Sequence, residues 1–441
     1  MIFHNHSALV SLATAITVAS SMTIIAEEAP LNPTGSEDLA PREQPVLNYE
    51  AAEVTTAKWD NPRNRHYTYS NFEKVHPYPS IISRGTGPFH TLPVVPEGWR
   101  HVEGFRIKPW REAEDMNLSR YLYESRADAL VILKDGKIIY EAYPRQLQPH
   151  QTHSMMSSSK VIAALVIANL IDEGKLQLDT LIKDIIPELG TAFDGVTVHQ
   201  ALNMNVVMNF SEDYTDPNSE GQRIFVAECW GEGCENDPRG VRGFLTELTS
   251  DDPSNNPENN TLYNSAVTSV LGWVIERKTG MNYNNAVSFY LFKHIGASAN
   301  GIGLNDQTGF GHASGYLAFT PRDAAMLYST IGNDGVAPNG ARILPKGYID
   351  THVYGDDAAT KYFAGTTSQW WYTHQMYYND KGGMAHLGYG GQMFYSNKDS
   401  GITIIQMGSI DSEGGAVTFN LGNGLLDAAD LLNELLKDLK P

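Results

Sequence analysis

The sequence predicts an α+β fold of the α/β sandwich type, in which one antiparallel sheet is built from both ends of the domain. Three observations lead to this prediction: a β-hairpin pattern near residue 135, a second hairpin pattern near residue 400, and apolar helical patterns between them. Strands from both ends of a domain can share one core sheet, flanked by terminal helices, while the middle helices form an inserted lobe. We therefore expect a cleft between the sheet and an all-helical lobe.

Two segments with turn residues at their centres predict the strands. In ADALVILKDGKIIYEAY, β-rich runs flank Asp135-Gly136, which predicts antiparallel strands at about 127–134 and 137–143. In GGQMFYSNKDSGITIIQMGS, a second hairpin is predicted around Asn397 to Gly401.

Four segments have the pattern of helices. SSSKVIAALVIANLIDEGKL, from Ser157, is apolar on nearly all sides and predicts a buried helix that ends near Gly174. SAVTSVLGWVIERKTG from Ser265 predicts a second helix. TPRDAAMLYSTIGNDG predicts a third, with Thr320 as N-cap and Pro321 in the first helical position. GNGLLDAADLLNELLKDL predicts a terminal amphipathic helix.

Composition and charge narrow the possible functions. The chain has 441 residues, of which 41% are hydrophobic, so it can bury a large core. Its 51 acidic and 32 basic residues give a formal charge of −19, which would repel a nucleic-acid backbone. No HExxH, CxxC, Walker A or strand-linked GxGxxG motif occurs, so no metal or nucleotide cofactor is predicted. A small molecule is the expected partner.

The first hundred residues differ in character from the rest. An apolar run from Ala8 to Ala26, with no charged side chain before Glu27, predicts an export signal over residues 1–26 and a periplasmic or secreted protein. Because no Lys or Arg precedes the run, an uncleaved anchor or a misassigned start is the alternative. Residues 27–104 are rich in Pro, Asn, Arg and Tyr and predict an irregular extension, followed by the main domain at 105–441.

The chain has two cysteines, Cys229 and Cys234. In an oxidising compartment they could close a small disulfide loop, whereas a metal site would need more ligands. The sequence leaves the bridged and the reduced forms open.

Ser157-Ser158-Ser159-Lys160 is the first candidate for chemistry, an S-x-x-K at the start of a buried helix. Residues three apart share a helical face, so the Lys160 amine can reach the Ser157 hydroxyl. A lysine among apolar residues can be neutral enough to take the hydroxyl proton and activate Ser157 as a nucleophile. The Ser157 N–H could also stabilise an oxyanion. The alternative is a Ser-rich N-cap with a solvated lysine.

Tyr263-Asn264-Ser265, directly before a predicted helix, is the second candidate. A phenol can carry a proton between nucleophile and leaving group if a nearby cation, here Lys160, lowers its pKa. Asn264 or Ser265 could hold the lysine or a substrate carbonyl. Alternatively, Tyr263 is a packing residue and Ser265 an N-cap.

The third candidate is the run from His386 to Gln392, HLGYGGQ, at the head of a late strand. Glycines such as Gly388 would let a substrate lie against the strand edge, and the Tyr389 N–H could be a second oxyanion donor. The alternative is a Gly-rich turn with His386 on the surface.

Together, the three motifs resemble those of the serine hydrolases of the β-lactamase and penicillin-binding superfamily, where S-x-x-K, Y-x-N and K-T-G or H-x-G occur in this order. TLYNSAVTSVLGWVIERKTG and GYGGQMFYSNKDSGITII look most similar to the 6-aminohexanoate-dimer hydrolase branch, near class C β-lactamases and family VIII carboxylesterases. The resemblance covers roughly residues 105–441 and implies a β-lactamase/transpeptidase-like fold.

The resemblance also implies roles for individual residues. Ser157 would be the nucleophile, Lys160 its base, and Tyr263 the general acid and base. The backbone amides of Ser157 and Tyr389 would form the oxyanion hole, and an acyl-enzyme would be hydrolysed by water without a metal.

The sequence departs from the superfamily pattern on the substrate side. His386-Leu387-Gly388 replaces K-T-G, so the lysine that β-lactamases and transpeptidases use for a substrate carboxylate is missing and a β-lactam substrate is disfavoured. Ser265 stands where the second motif has Asn, and Val206-Val207 replaces the usual Ser-Gly. The candidate substrate-binding residues are Ser265, His386, Gly388, Trp370 and Trp371, with Trp230 as a further aromatic that could line an apolar acyl site.

We therefore predict a serine hydrolase of small amides or esters, with linear oligoamides or peptide-like amides ahead because of the branch resemblance. Short motifs do not encode the leaving group, so a short-chain carboxylesterase with weak β-lactamase activity is an alternative. Others are a non-catalytic penicillin-binding or sensor-type protein and a peptidoglycan-binding protein that uses the extension.

Overall fold

The computed structural model describes residues 54–107, 115–145, 147–214, 216–251, 262–364, 368–410 and 415–440. The predicted signal segment over residues 1–26 lies outside this part of the chain. None of the helices in this part combines the length and the apolar character that crossing a membrane requires.

The described chain contains short and long elements in an alternating order. Its strands are β1 (Pro79–Ile82), β2 (Arg106–Ile107), β3 (Met116–Asn117), β4 (Ala127–Lys134), β5 (Lys137–Ala142), β6 (His153–Ser154), β7 (Gly301–Leu304), β8 (Ala318–Phe319), β9 (Thr360–Ala364), β10 (Gln369–Thr373), β11 (Met376–Asn379), β12 (Gly383–Gly388), β13 (Gln392–Asn397) and β14 (Ile402–Gly408). Its α-helices are α1 (Arg65–Tyr69), α2 (Phe72–Val75), α3 (Pro96–Glu103), α4 (Leu118–Glu124), α5 (Lys160–Asp172), α6 (Ile182–Ile185), α7 (Val198–Leu202), α8 (Glu220–Ala227), α9 (Gly240–Thr246), α10 (Ser265–Thr279), α11 (Tyr283–Tyr290), α12 (Pro321–Gly332) and α13 (Gly415–Leu436).

An eight-stranded antiparallel sheet forms the centre of the described structure, in the order β5-β4-β14-β13-β12-β11-β10-β9. β4 comes from the first predicted hairpin and β14 from the second, and they pair from Ile402 opposite Lys134 to Gly408 opposite Ala127. The first hairpin turns at Asp135 and Gly136, whose φ angles of 49° and 72° suit this type of turn. Both predicted hairpins and the α+β class are confirmed.

Helices cover both faces of this sheet. Alternate residues of a strand point to opposite faces, and β4 is buried along its whole length. Val131 and Leu133 pack in one cluster with residues of α5, α10 and α12. Leu130 and Ile132 pack in a second cluster with residues of α3, α4 and α13. The terminal helix α13 therefore flanks the sheet, as predicted.

The helices from α5 to α11 lie in the chain between β6 and β7 and correspond to the predicted lobe. α5 packs against α10 and α11 within it. A 3-10 turn over Met156–Ser159 precedes α5, which begins at Lys160 and not at Ser157 as predicted. α10 begins at Ser265, and Thr320 caps α12 by accepting a hydrogen bond from the Asp323 N–H, as predicted.

The prediction of an irregular segment over residues 27–104 was wrong for its described part, residues 54–104. This part contains α1, α2, β1 and α3, and β1 pairs with β7 in a second sheet of order β1-β7-β8-β6. The Pro and Asn residues that suggested a loop lie at helix starts: Pro96 opens α3, and Asn64 and Asn71 precede α1 and α2. The boundary at residue 104 stays a prediction.

Candidate active site

Ser157 lies where β6 leads into α5, inside the 3-10 turn Met156–Ser159. Met156, directly before it, has a φ angle of 46°, a left-handed conformation that costs free energy for a residue with a side chain. Ser158 and Ser159 are fully buried, whereas Ser157 is partly exposed. The turn therefore presents only the Ser157 hydroxyl of these three serines to solvent.

Lys160 is buried beside the Ser157 hydroxyl. Its Nζ lies 3.0 Å from Ser157 Oγ and 2.5 Å from the carbonyl oxygen of Ser314, and the residue is 2% exposed. Burial lowers the pKa of Lys160 to about 8, although Glu212 and Glu228 act in the opposite direction. The lysine is thus not solvated, and a substantial fraction of it is neutral near neutral pH.

Tyr263 lies against Lys160, whose Nζ is 5.2 Å from the centroid of the phenol ring. The residue is 39% exposed, but its hydroxyl is enclosed and hydrogen-bonds to Ser157. Burial raises the pKa of Tyr263 far above its usual value, and Glu212 raises it further. The prediction that Lys160 lowers this pKa was therefore wrong, because desolvation and a nearby carboxylate both favour the neutral phenol.

The second motif also starts α10. Asn264 Oδ1 accepts a hydrogen bond from the Ala266 N–H at 2.8 Å and so caps the helix. The Ser265 N–H donates to Glu212 Oε1 at 2.5 Å. Asn264 therefore serves as the cap in place of Ser265, and the helix start fixes Tyr263 next to Ser157.

Strand β12 carries the third motif along the Ser157 turn. A side chain at Gly388 would bring its Cβ within 2.5 Å of the Met155 carbonyl oxygen, so only glycine allows this close approach. Tyr389 follows, and its hydroxyl accepts a hydrogen bond of 2.6 Å from Arg65 of α1. The motif thus ends one strand instead of standing at the head of the next. The assignment of the Tyr389 N–H to an oxyanion hole stays a prediction.

His386 is buried within β12 and does not lie on the surface. Burial lowers its pKa to about 3, so the imidazole is neutral at physiological pH. Its Nε2 has no hydrogen-bond partner within the described residues. A neutral imidazole cannot supply the positive charge that the K-T-G lysine offers a substrate carboxylate.

The comparisons identify the family. A family model described as Beta-lactamase matches residues 120–422, more than half of the chain. The chain belongs to the beta-lactamase family. A 6-aminohexanoate-dimer hydrolase from Paenarthrobacter ureafaciens is 32% identical over 303 residues, which make up 66% of this chain and 75% of that protein.

Solved structures share the fold. A Bacillus anthracis protein assigned as a 6-aminohexanoate-dimer hydrolase matches with a TM-score of 0.73 and 23% identity, over 87% of this chain and 98% of that one. A family VIII carboxylesterase matches with a TM-score of 0.51 and 15% identity, over 70% of this chain and 95% of that one. The predicted resemblance and the β-lactamase-like fold are confirmed, and the chain is a member of a hydrolase family.

Two carboxylates complete the surroundings of Lys160 in this beta-lactamase-family protein, and motif analysis missed both. Glu228 is buried and accepts hydrogen bonds from Ser314 Oγ at 2.9 Å and Tyr316 Oη at 3.2 Å. Burial raises the pKa of Glu228 to about 7, although these hydrogen bonds and Lys160 lower it. Glu212 and Glu228 stand in NFSEDY and AECW, which match none of the three motifs, so spacing gives no signal for either.

An aromatic cluster borders the nucleophile turn of this family member. Trp59 and Trp230 stack with ring centroids 4.2 Å apart, and both belong to one buried cluster with Met156. Phe225 packs edge-on against Trp59 and stacks on Tyr214 at 4.9 Å. Trp230 thus lies near the site, together with Trp59 from the segment that was predicted to be irregular.

The other two tryptophans do not fit the predicted role equally. Trp370 is 0% exposed and packs in the core between the sheet and α13, so the prediction that it lines a substrate site was wrong. Trp371 points to the opposite face of β10, where it is half-buried and stacks on Tyr378 at 5.5 Å. Aromatic residues in a strand alternate between faces, and the sequence alone did not show which face meets the site.

The two cysteines form a disulfide, Cys229–Cys234, with Cα atoms 5.0 Å apart. The bridge begins directly after Glu228 and directly before Trp230. It therefore ties the loop that carries a carboxylate near Lys160 and an aromatic near Met156.

Proposed function

We propose that this protein is a serine hydrolase that cleaves small amides or esters through an acyl-enzyme on Ser157. The observation that carries the proposal is the 3.0 Å contact between the buried Lys160 Nζ and Ser157 Oγ. A hydroxyl becomes a nucleophile when a base within hydrogen-bond reach takes its proton, and a lysine with a pKa near 8 can do so.

The proposed reaction has two halves. In the first, neutral Lys160 accepts the Ser157 proton as Oγ attacks the substrate carbonyl, and the Ser157 and Tyr389 amides stabilise the oxyanion. The neutral phenol of Tyr263 passes a proton to the leaving group while it takes one from the lysine side. In the second half, water attacks the acyl-enzyme and the same groups return the proton to Ser157 Oγ.

Features of the site favour uncharged or cationic substrates over anionic ones. Glu212 and Glu228 both act on the Lys160 charge, and the chain carries a formal charge of −19. His386 is neutral where the K-T-G lysine would hold a carboxylate. A penicillin, which is an anion, should therefore be turned over more slowly than a neutral ester or a linear amide.

We favour an amide over an ester as the substrate. The 32% identical relative is a 6-aminohexanoate-dimer hydrolase, and linear oligoamides are the corresponding substrate class. A short-chain carboxylesterase is the second candidate, supported by the fold shared with a family VIII carboxylesterase.

We also propose that the protein acts in the periplasm or outside the cell. The apolar segment over residues 1–26 supports export. The Cys229–Cys234 disulfide supports an oxidising compartment, because such bridges are rare where thiols are kept reduced.

The test is product analysis by mass spectrometry of the protein with a 6-aminohexanoate dimer, a short-chain aryl ester and a penicillin. Ser157→Ala should abolish all turnover. Ser158→Ala is the matched control, because the buried Ser158 hydroxyl has no hydrogen-bond partner within the described residues. Amide turnover that is lost only in Ser157→Ala would support the amidase, and ester turnover alone would support the carboxylesterase. Absence of both products and of an acyl adduct on Ser157 would favour a non-catalytic binding protein.

A further inference from the structure

A cluster of metal-ligand residues lies outside the candidate active site. His199 is in α7, Asp356 follows a π-helical turn over Ile349–Val353, and His374 is in the turn between β10 and β11. The potential ligand atoms of these three residues all lie within 4.8 Å of one another. Two imidazoles and one carboxylate form a donor set that proteins use for zinc, with a fourth position for water.

His374 has one ring nitrogen that lacks an explanation. The residue is fully buried, and its Nδ1 lies 2.6 Å from the hydroxyl of Tyr348. Its Nε2 has no hydrogen-bond partner within the described residues. Buried polar atoms are nearly always paired, so an unpaired imidazole nitrogen beside a carboxylate indicates a missing partner. A histidine that binds a metal usually engages its other nitrogen in a hydrogen bond, as Tyr348 provides here.

Asp356 is held in place by several donors. Its Oδ2 accepts from Asn203 Nδ2 at 2.8 Å and also from Thr373 Oγ1, and its Oδ1 accepts from the Ala358 N–H at 2.9 Å. These contacts fix the carboxylate as a ligand needs to be fixed. His199 Nε2 lies 3.1 Å from Asp356 Oδ2. Two ligands of a tetrahedral zinc ion are about 3.3 Å apart, so this pair needs little movement.

We propose that His199, Asp356 and His374 bind a divalent transition-metal ion, with Zn²⁺ as the best match to their donor atoms. In the bound form His199 carries its hydrogen on Nδ1, both histidines offer Nε2, Asp356 offers Oδ2, and water fills the remaining position. A change of tautomer at His199 is sufficient, so no net proton is exchanged if the residue is neutral beforehand.

The ion would join three parts of the chain that are remote in sequence. His199 and Asp356 are 157 positions apart, which explains why a search for short metal motifs finds nothing. The Gln375 N–H already donates to the Leu202 carbonyl at 2.8 Å and holds the β10–β11 turn against the end of α7. A metal at this junction would strengthen that contact, so its expected effect is on stability. The proposal does not depend on the hydrolase activity.

The experiment uses the whole protein after treatment with a chelator. Zn²⁺ is titrated in by calorimetry, and Co²⁺ serves as a spectroscopic probe of the coordination geometry. We expect one equivalent of Zn²⁺ to bind, an absorption spectrum of tetrahedral type with Co²⁺, and a thermal midpoint raised by about 2–5 °C at saturation. Mg²⁺, which prefers oxygen ligands, should have no such effect.

Variants assign the binding to these residues. His199→Gln and Asp356→Asn should weaken Zn²⁺ binding by about tenfold or more, as should His374→Gln. His199 is half-exposed, so His199→Gln remains informative if the buried His374 variant does not fold. His101→Ala is the matched control, because His101 is an exposed histidine in α3. Binding of equal strength in His199→Gln and in the parent protein, or no stoichiometric binding at all, would overturn the proposal and leave the cluster as a hydrogen-bond network.

Discussion

The contact between Lys160 and Ser157 makes the proposed catalysis depend on pH. The reaction needs neutral Lys160, and burial places its pKa at about 8, so the protonated fraction grows as the pH falls below that value. We expect kcat/KM for an aryl ester to rise from pH 6 and level off above about pH 8 to 9. Lys160→Arg should be inactive across this range, because a guanidinium stays protonated. A flat profile between pH 6 and 9 would argue against Lys160 as the base.

Glu228 tunes this dependence. Its carboxylate is one of two negative charges that raise the pKa of Lys160, and it is ionised above its own pKa of about 7. In Glu228→Gln the amide oxygen can still accept from Ser314 and Tyr316, but the charge is gone. The pKa of Lys160 should therefore fall, and the rise in kcat/KM should move to lower pH by up to about one unit. A shift to higher pH, or none, would contradict this role.

The residues of the site were not equally predictable. Ser157 and Lys160 are three positions apart, so local geometry alone brings them together. Glu228 reaches Ser314 across 86 positions, and such a contact depends on the packing of the whole lobe. Trp370 and Trp371 were assigned alike because composition does not tell which face of a strand meets the core.

At the scale of elements, hairpins and capped helices could be predicted because their signals are local. The Asp135-Gly136 turn fixed β4 and β5, and Thr320 fixed the start of α12. β1 and α1 could not be predicted in this way, since β1 exists only through pairing with β7, more than two hundred positions away. Short elements of this kind gain their stability from distant partners and not from propensity.

The disulfide loop gives a prediction at the same scale. Cys229 and Cys234 are five positions apart, and closing so short a loop stabilises a fold by about 2 kcal/mol through the entropy of the unfolded chain. Cys234→Ser should lower the free energy of unfolding by about that amount, measured by chemical denaturation. Unfolding the parent protein in the presence of a reductant is the control and should reproduce the loss. Equal stability of both forms would mean that the bridge contributes nothing to the fold.

At the scale of the whole molecule, residues 54–104 are part of the core that supports the site. Trp59 contacts Trp230, Phe225 and Tyr316 in the buried aromatic cluster, while β1 covers the edge of β7. Arg65 reaches Tyr389 at the end of β12 and donates to the Ile410 carbonyl at 2.8 Å. The nucleophile turn thus depends on contacts from a part of the chain that precedes the three motifs.

This dependence leads to a prediction for a chain shortened to residues 105–441. Its loss of Trp59, Tyr69 and Phe72 removes three buried aromatics, and replacing one such residue by alanine already costs about 3–5 kcal/mol. Since net stability is about 5–15 kcal/mol, the shortened chain should not fold cooperatively or hydrolyse substrate. A chain that begins at residue 54 keeps all of these contacts and should melt like the parent protein. Trp59→Ala, a milder change, should still fold and lose about 3–5 kcal/mol in denaturant titration. A stable and active 105–441 chain would show instead that the nucleophile turn is held by the sheet and the helical lobe alone.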